Sequence, residues 1–150
     1  MTEAEKSRFA ANAQRLVRVI VESNNVTVVS MLQPRLLDCD PAAESLTLAF
    51  AAQPWARNPN GAIHGGIVST MFDTAMGLAT YAAADVLTPT MSLTTSFLRP
   101  VPGEGWIVVR AVITRTGRSV LYASAEMWAE AAPEKIVATA QGVFHRPIRD

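Results

Sequence analysis

The sequence predicts an α+β fold in which a curved antiparallel sheet wraps around one apolar helix. Two observations lead to this prediction. Residues 66–84 form an almost uncharged run with helical spacing, and after residue 90 the chain changes to β-rich runs separated by turn residues. A helix that is apolar on nearly all sides must be covered on nearly all sides, and a curved sheet does this most simply. With 150 residues, we expect one domain spanning residues 1–150.

The elements follow in a definite order along this domain. Residues 3–22 carry apolar side chains at helical spacing, with charges on the other face, which predicts an extra N-terminal helix before a core of about residues 26–146. Two strand-like pieces at 28–37 and 45–51 are separated by the turn-forming residues 38–41. After the apolar helix, the β-rich runs predict a four-stranded antiparallel meander. These runs are residues 90–98, 106–114, 120–131 and 136–145.

Composition and charge exclude several classes of partner. The 13 basic and 13 acidic residues cancel and form no basic cluster, so nucleic acid is not expected. Cys39 is the only cysteine and the histidines, His64 and His145, lie far apart, so we expect no disulfide and no metal site. The first residues lack the apolar segment of a signal peptide. Residues 65–84 would place Asp73 at the centre of a bilayer, so we expect a helix buried in protein and no membrane partner. The single cysteine leads us to expect a cytoplasmic protein.

The central helix carries one small, polar face around Asp73, its only charged residue. Small side chains allow either a partner helix or a slender ligand to come close. Asp73 is therefore either a hydrogen-bonded structural acid or a reactive group beside that ligand. At about 100° per residue, the residues that share this face are Gly66, Ser69, Thr70, Gly77 and Thr80.

Two glycines, Gly65 and Gly66, lie at the entrance of this helix, although each costs about 1 kcal/mol relative to Ala inside a helix. No Ser, Thr, Asp or Asn occupies the cap position beside them, so we expect the first N–H groups to be open to a ligand oxygen. The helix dipole favours negative charge at the same place. The entrance is therefore suited to stabilising an oxyanion, with Asp73 acting as a base or a nucleophile.

The spacing of these groups predicts a shared site. A helix that begins near Gly66 carries Asp73 about 10 Å along its axis. A reacting carbon should lie about 3 Å from both the donor and the attacking group. One chain cannot meet this condition, whereas two antiparallel helices in a twofold dimer can. We therefore expect a homodimer or homotetramer whose active site is shared between subunits.

The string NPNGAIHGG at residues 58–66, followed by Asp73 and Gly77, resembles the hotdog-fold thioesterases. The most similar group is the PaaI-like branch of the 4-hydroxybenzoyl-CoA thioesterase superfamily, which residues 96–101 and 117–119 also resemble. The resemblance implies a hotdog fold and hydrolysis of an acyl or aryl thioester of coenzyme A to free acid and CoASH. It implies no cofactor, because coenzyme A enters as part of the substrate.

The resemblance also implies catalytic roles. The Gly65 N–H would polarise the thioester carbonyl, and Asp73 would activate water as a general base or attack directly. Asn58 would help to hold the water or the leaving sulfur. His64 would orient the loop and contribute a hydrogen bond.

A hydroxyl on the strand after the helix would complete such a site, supplied by Thr90 or, alternatively, by Ser92. Arginines would meet the phosphates of coenzyme A. The candidate substrate-binding residues are Gly66, Ser92, Arg99, Gly117, Arg118 and Ser119.

Two other functions are compatible with this type of fold. A dehydratase or hydratase of acyl thioesters would pair a histidine at the helix entrance with an acid, but the spacing of residues 58–66 favours hydrolysis. A non-catalytic acyl-CoA-binding module would gain nothing from Asp73 beside a thioester.

Overall fold

The computed structural model describes residues 1–147, in which six antiparallel strands curve around one long helix. The last three residues of the predicted domain, 148–150, lie outside the described part. The elements in chain order are α1 (Glu3–Glu22), α2 (Val28–Met31), β1 (Arg35–Asp40), β2 (Ser45–Ala51), a 3-10 turn (Pro54–Ala56), α3 (Gly65–Ala84), β3 (Thr90–Phe97), β4 (Trp106–Thr116), β5 (Val120–Ala129) and β6 (Ile136–His145).

The strand order in the sheet is β1-β2-β4-β5-β6-β3. The prediction of a four-stranded meander is therefore wrong, because β3 does not pair with β4. It pairs instead with β6, with Thr95 opposite Ala140. The physical reason is that α3 contacts β2, β4, β5 and β6 as well as β3, so it carries the chain across the concave face before β3 begins at the far edge.

The region before β2 also differs from the prediction. Residues 28–31 form a helical turn rather than a strand, because Thr27 and Ser30 cap it reciprocally through their hydroxyls and backbone N–H groups. Residues 38–40 belong to β1 rather than to a turn. The turn follows these residues. There the Asp40 carboxylate accepts hydrogen bonds from the N–H groups of Ala42 and Ala43.

The core lies between α3 and the concave face of the sheet. Complete burial of a large apolar side chain contributes about 1.5–3 kcal/mol, so this layer supplies most of the stabilisation. The predicted central apolar helix in a curved sheet is thereby confirmed. The largest fully buried side chains include Leu46, Leu48, Phe50, Met71, Phe72, Met76, Ile107, Leu121, Met127 and Phe144. Within residues 1–147, no helix combines the length and hydropathy needed to cross a membrane.

The predicted N-terminal helix is confirmed as α1, which packs against α3. Phe9 and Ala13 are buried in this contact. Polar side chains secure it further along: Asn12 donates to the Ala82 carbonyl at 3.2 Å, and Arg15 donates to the Tyr81 hydroxyl at 2.6 Å. These bonds fix the position of α1 over the C-terminal half of α3.

Candidate active site

Asn58 organises the loop that leads into α3. Its Oδ1 accepts from the N–H groups of Asn60 at 2.9 Å and Ala62 at 3.2 Å, and its own N–H donates to the Ala62 carbonyl at 2.7 Å. The side-chain nitrogen of Asn58 has no acceptor within residues 1–147. The side chain therefore shapes the loop with its oxygen and keeps its amide donor available.

The loop is held against the segment between β3 and β4. The Ile63 N–H donates to the Val101 carbonyl at 2.9 Å, and Arg57 Nε donates to the Gly103 carbonyl at 2.8 Å. A Cβ on Gly103 would lie 2.0 Å from the Gly61 carbonyl oxygen, and Gly61 itself has a φ of 81°. Only glycine fits at both positions, so the two segments fix each other.

The structure corrects the expectation that the first turn of α3 has no cap. His64 is the N-cap residue, and its Nδ1 accepts from the Gly66 N–H at 3.0 Å. The Gly65 N–H, by contrast, has no acceptor among the residues that the structure describes. A Cβ on Gly65 would lie 3.3 Å from the Phe97 ring. The helix entrance thus offers one free backbone donor, on Gly65.

A cleft of about 520 Å³ opens beside this donor, and Gly65, Asn58, Phe97 and Arg99 line it. Arg99 is exposed, and its Nη1 donates to the Ile136 carbonyl at 2.7 Å. The remaining guanidinium nitrogens are free of contacts within the described chain. Arg99 therefore combines a fixed position at this cleft with guanidinium donors that remain free of hydrogen bonds within the described chain.

Asp73 lies in the middle of α3, half-buried, where the Thr90 hydroxyl donates to its Oδ1 at 2.6 Å. Its other carboxylate oxygen has no hydrogen bond in the described part of the protein. Ser92 is placed elsewhere. The register between β3 and β6 shifts between Thr90 and Ser92, so Met91 is an extra residue and Ser92 lies opposite Val143 on the outer face of the sheet.

Asp73 opens into a second cleft, of about 370 Å³, which α1 covers. Neither Gly65 nor Asn58 lines this cleft. The eight residues from Gly65 to Asp73 correspond to about 12 Å along the helix axis. A single chain therefore does not bring the free donor and the carboxylate to one reacting atom.

The Gly117–Ser119 turn lies at the same end of the sheet as Thr90. The Arg146 N–H donates to the Ser119 carbonyl and the His145 N–H donates to the Pro89 carbonyl, each at 2.8 Å. A Cβ on Gly117 would lie 2.8 Å from the Val120 carbonyl oxygen, so this turn requires a glycine. Arg118 projects from it, exposed and without an ion pair among residues 1–147.

The sequence analysis did not predict that α1 lines the second cleft. Leu16 and Ile20 line it together with Tyr81 and Leu87. The signal was present, because the apolar positions of α1 continue past the residues that α3 buries. In the described chain, no group of three or more His, Cys, Asp or Glu side chains is arranged to hold a metal ion.

Comparison with known proteins agrees with this fold. Residues 60–135 match the sequence profile of the Thioesterase superfamily. A Pseudomonas aeruginosa protein named "Putative esterase" is 30% identical over 108 residues, which cover 71% of this chain and 78% of that protein. The chain therefore belongs to the thioesterase superfamily, and it is a hydrolytic enzyme that cleaves thioesters.

Two solved structures are similar to this chain, one of them at 28% identity. The phenylacetic acid degradation-related protein of Ralstonia eutropha is 28% identical, with a TM-score of 0.76 over 89% of this chain and 98% of that one. The Escherichia coli PaaI protein is 19% identical, with a TM-score of 0.79 over 95% of this chain and 96% of that one, and so shares the fold. The chain is a hotdog-fold thioesterase of the PaaI-like branch.

Proposed function

We propose that the protein hydrolyses acyl thioesters of coenzyme A at a site that two subunits share. The observation that carries this proposal is the separation of two complementary groups. Gly65 offers a free N–H in one cleft, and Asp73 offers a carboxylate oriented by Thr90 in another. Each group is half of an acyl-transfer site.

In the proposed reaction, the thioester carbonyl oxygen accepts from the Gly65 N–H of one subunit, which stabilises the charge that develops there. Asp73 of the other subunit takes a proton from water while the water oxygen attacks the carbonyl carbon, or it attacks the carbon directly. The C–S bond then breaks, and the sulfur takes up the proton that Asp73 removed from water and leaves as the thiol of coenzyme A. In the direct route, the C–S bond breaks as an acyl–Asp73 anhydride forms. Water then hydrolyses this anhydride, which releases the acid, restores the Asp73 carboxylate and supplies the proton for the thiolate. Thr90 holds one carboxylate oxygen, so that the other faces the water.

The proposed dimer forms through β3. This strand is an edge of the sheet, it is uncharged over all eight residues, and most of it is exposed. Such an edge readily pairs with another chain. A twofold pairing of two β3 strands would continue the sheet and set the two α3 helices side by side.

The adenine nucleotide end of coenzyme A carries phosphates, which arginines recognise well. Arg99 borders the cleft of Gly65, and Arg118 lies at the sheet end near Thr90. We assign the phosphates to these two side chains. Asn58, through its unpaired amide donor, would contact the water or the leaving sulfur.

A dehydratase would need the imidazole of His64 for proton transfer at the acyl carbons. Here Nδ1 accepts from the Gly66 N–H and serves as the helix cap. The use of this nitrogen within the fold supports hydrolysis over dehydration.

The test is a thiol-release assay with acetyl-, octanoyl-, palmitoyl- and benzoyl-CoA. We expect release above the uncatalysed rate with at least one of these substrates. Arg99→Ala and Arg118→Ala should raise KM for the CoA thioester but not for the matching pantetheine thioester, which lacks the adenine nucleotide. No thiol release from any of them would refute the proposed function.

The shared site has its own test, which mixes Gly65→Pro and Asp73→Asn chains after each alone is shown to be folded and inactive. Pro removes the N–H of Gly65, yet it is tolerated in the first turn of a helix. Mixed dimers should regain part of the activity, because one of their two sites is intact. Subunit exchange without any recovered activity would contradict a composite site.

A further inference from the structure

The burial of α1 changes along its length in a way that the packing of α1 on α3 does not explain. Phe9 and Ala13 are 1% and 0% exposed. Leu16 and Ile20 continue the same face of the helix, at the spacing of a buried stripe, yet they stay only half-buried. Both side chains line the second cleft, of about 370 Å³, which is called the cavity below.

The walls of this cavity come mostly from apolar side chains outside the catalytic groups. Leu16 and Ile20 of α1, Val29 of α2 and Leu78 of α3 line it. At its mouth, Leu87 remains 69% exposed. A cavity of this volume, with apolar walls and a few polar groups at one end, has the form of a small-molecule site.

The polar end of the cavity carries the Asp73 carboxylate, to which we assign catalysis. Asp73 and Thr90 lie there, and Gly77 follows one turn further along α3. A Cβ on Gly77 would have its nearest neighbour, a Phe144 ring atom, at 3.8 Å, which is ordinary contact. Packing within the chain therefore does not require glycine at this position. Its lack of a side chain keeps the passage from Asp73 to the apolar walls open.

We propose that this cavity binds the acyl chain of the substrate and that α1 and α2 set the length that it accepts. The inference rests on the proposed function. At the roughly 30 Å³ that a water-sized group occupies, the cavity holds on the order of a dozen such groups. The proposed substrate class is therefore an acyl group of medium size, with its carbonyl at Asp73 and its tail beneath Leu16 and Ile20.

The helix that covers the cavity, α1, is held in place by side-chain contacts with α3 and its C-terminal end. Arg15 donates to the Tyr81 hydroxyl at 2.6 Å and to Asp85 Oδ1 at 3.1 Å, and its guanidinium lies 5.9 Å from the centre of the Tyr81 ring. Tyr81 is itself part of the cavity wall. These contacts hold α1 at a set height above α3, which gives the cavity a defined depth.

The test reduces the volume of the cavity from the α1 side with Leu16→Trp and, separately, Ile20→Trp. Each methylene that leaves a buried site lowers affinity about fourfold, so the ratio of kcat/KM for octanoyl-CoA to that for acetyl-CoA should fall at least about tenfold. Ile20→Ala, which enlarges the cavity, should raise the ratio of kcat/KM for palmitoyl-CoA to that for acetyl-CoA. Val19→Trp is the matched control, because Val19 is on the same helix but 56% exposed. Melting curves confirm that each variant is folded.

Binding of octanoic acid, measured by calorimetry, gives a second readout that does not need turnover. It should be lost in Leu16→Trp and Ile20→Trp and kept in Val19→Trp. If no acyl-CoA is hydrolysed but octanoate binding follows this pattern, the proposed function fails and the acyl cavity stands. Equal losses for acetyl- and octanoyl-CoA, an unchanged ratio, or octanoate binding that the tryptophans do not affect would overturn the inference.

Discussion

The two edges of the sheet are built in opposite ways. β1 has charged side chains at three of its six positions and an irregular register next to Leu37, and α1 contacts it. β3 has no charge, and its exposed side chains include Phe97, which is 55% exposed. Charges and bulges are the usual means by which an edge strand avoids pairing with other chains. β1 is thus protected from association, and β3 is suited to it.

In the proposed dimer, this difference connects subunit pairing to the proposed chemistry. β3 begins with Thr90, which orients Asp73, and ends with Phe97, which contacts Gly65. The one edge that is open to a second chain therefore runs between the two half-sites. The following predictions test whether activity depends on β3 in a way that it does not depend on β1.

Asp73→Asn should have the largest effect. The amide keeps the size of the side chain but cannot take a proton from water or attack a thioester, so kcat should fall by about 10²–10⁴-fold, the usual contribution of a positioned acid–base group. Substrate affinity should change little. Steady-state kinetics with a melting curve measure this, and Asp38→Asn in β1 is the control. Near wild-type turnover in a folded Asp73→Asn protein would contradict the mechanism.

Thr94→Lys combined with Ser96→Lys should separate the subunits. Both side chains are exposed, and like charges facing each other across paired strands destabilise the pairing. Because the monomer would lack the oxyanion donor of its partner, activity should fall about 10²–10³-fold. Size-exclusion chromatography with light scattering gives the oligomeric state. The control is Leu37→Lys, on the β1 edge, which should change neither the activity nor the oligomeric state. A double-lysine variant that is monomeric and still active would exclude a site shared through β3.

Thr90→Val should have a smaller effect, because it removes the hydroxyl but keeps the shape. A hydrogen bond to a charged group contributes about 1.5–3 kcal/mol, so kcat should fall by about 10- to 150-fold. Thr90→Ser retains the hydroxyl and should restore most of the rate. Identical kinetics for the Val and Ser variants would show that this contact has no role in catalysis.

The smallest expected effect is on the alkylation rate of the Cys39 thiol, in β1, and it depends on pH. Partial burial raises the pKa of the Cys39 thiol, and the nearby carboxylates of Asp38 and Asp40 raise it further. The folded protein should therefore alkylate with iodoacetamide more slowly than the urea-unfolded chain near pH 8, and the two rates should converge as the pH rises through the folded-state pKa. Because the folded state favours the protonated thiol, this group's contribution to stability is fully present below its unfolded pKa and is lost as the pH rises through its higher folded-state pKa.

Asp38→Asn should moderately increase the alkylation rate of the folded protein, since it removes one of the charges that disfavour the thiolate. The same change should not affect the rate in urea. Equal rates for folded and unfolded chains at every pH would show that neither burial nor charge acts on this thiol.

Local patterns predicted the two long helices well, although they missed the short helix α2. The 3.6-residue spacing of apolar side chains gave α1 with its observed bounds and α3 to within a residue. The meander failed because pairing partners are not local information. Strong β propensity in β3 and β4 is compatible with either neighbour, and the choice depends on where α3 delivers the chain.

The candidate site was predictable where backbone chemistry decides it, and less so where the register does. Gly65 and Asp73 follow from helix geometry. The choice between Thr90 and Ser92 depends on one extra residue, Met91, whose effect is to place the two hydroxyls on different faces. The cap of Gly66 by His64 was also missed, since histidine is not among the usual capping residues.

The close approach of Gly103 to the Gly61 carbonyl has a consequence for how this domain can change. Two stretches that are distant in the chain meet there with no room for even a methyl group, so neither can be exchanged without the other. A chimera that takes residues 56–64 from a relative should fold only if residues 101–103 come from the same parent. Recombination between these two stretches would be the natural way to lose the helix entrance while keeping the rest of the fold.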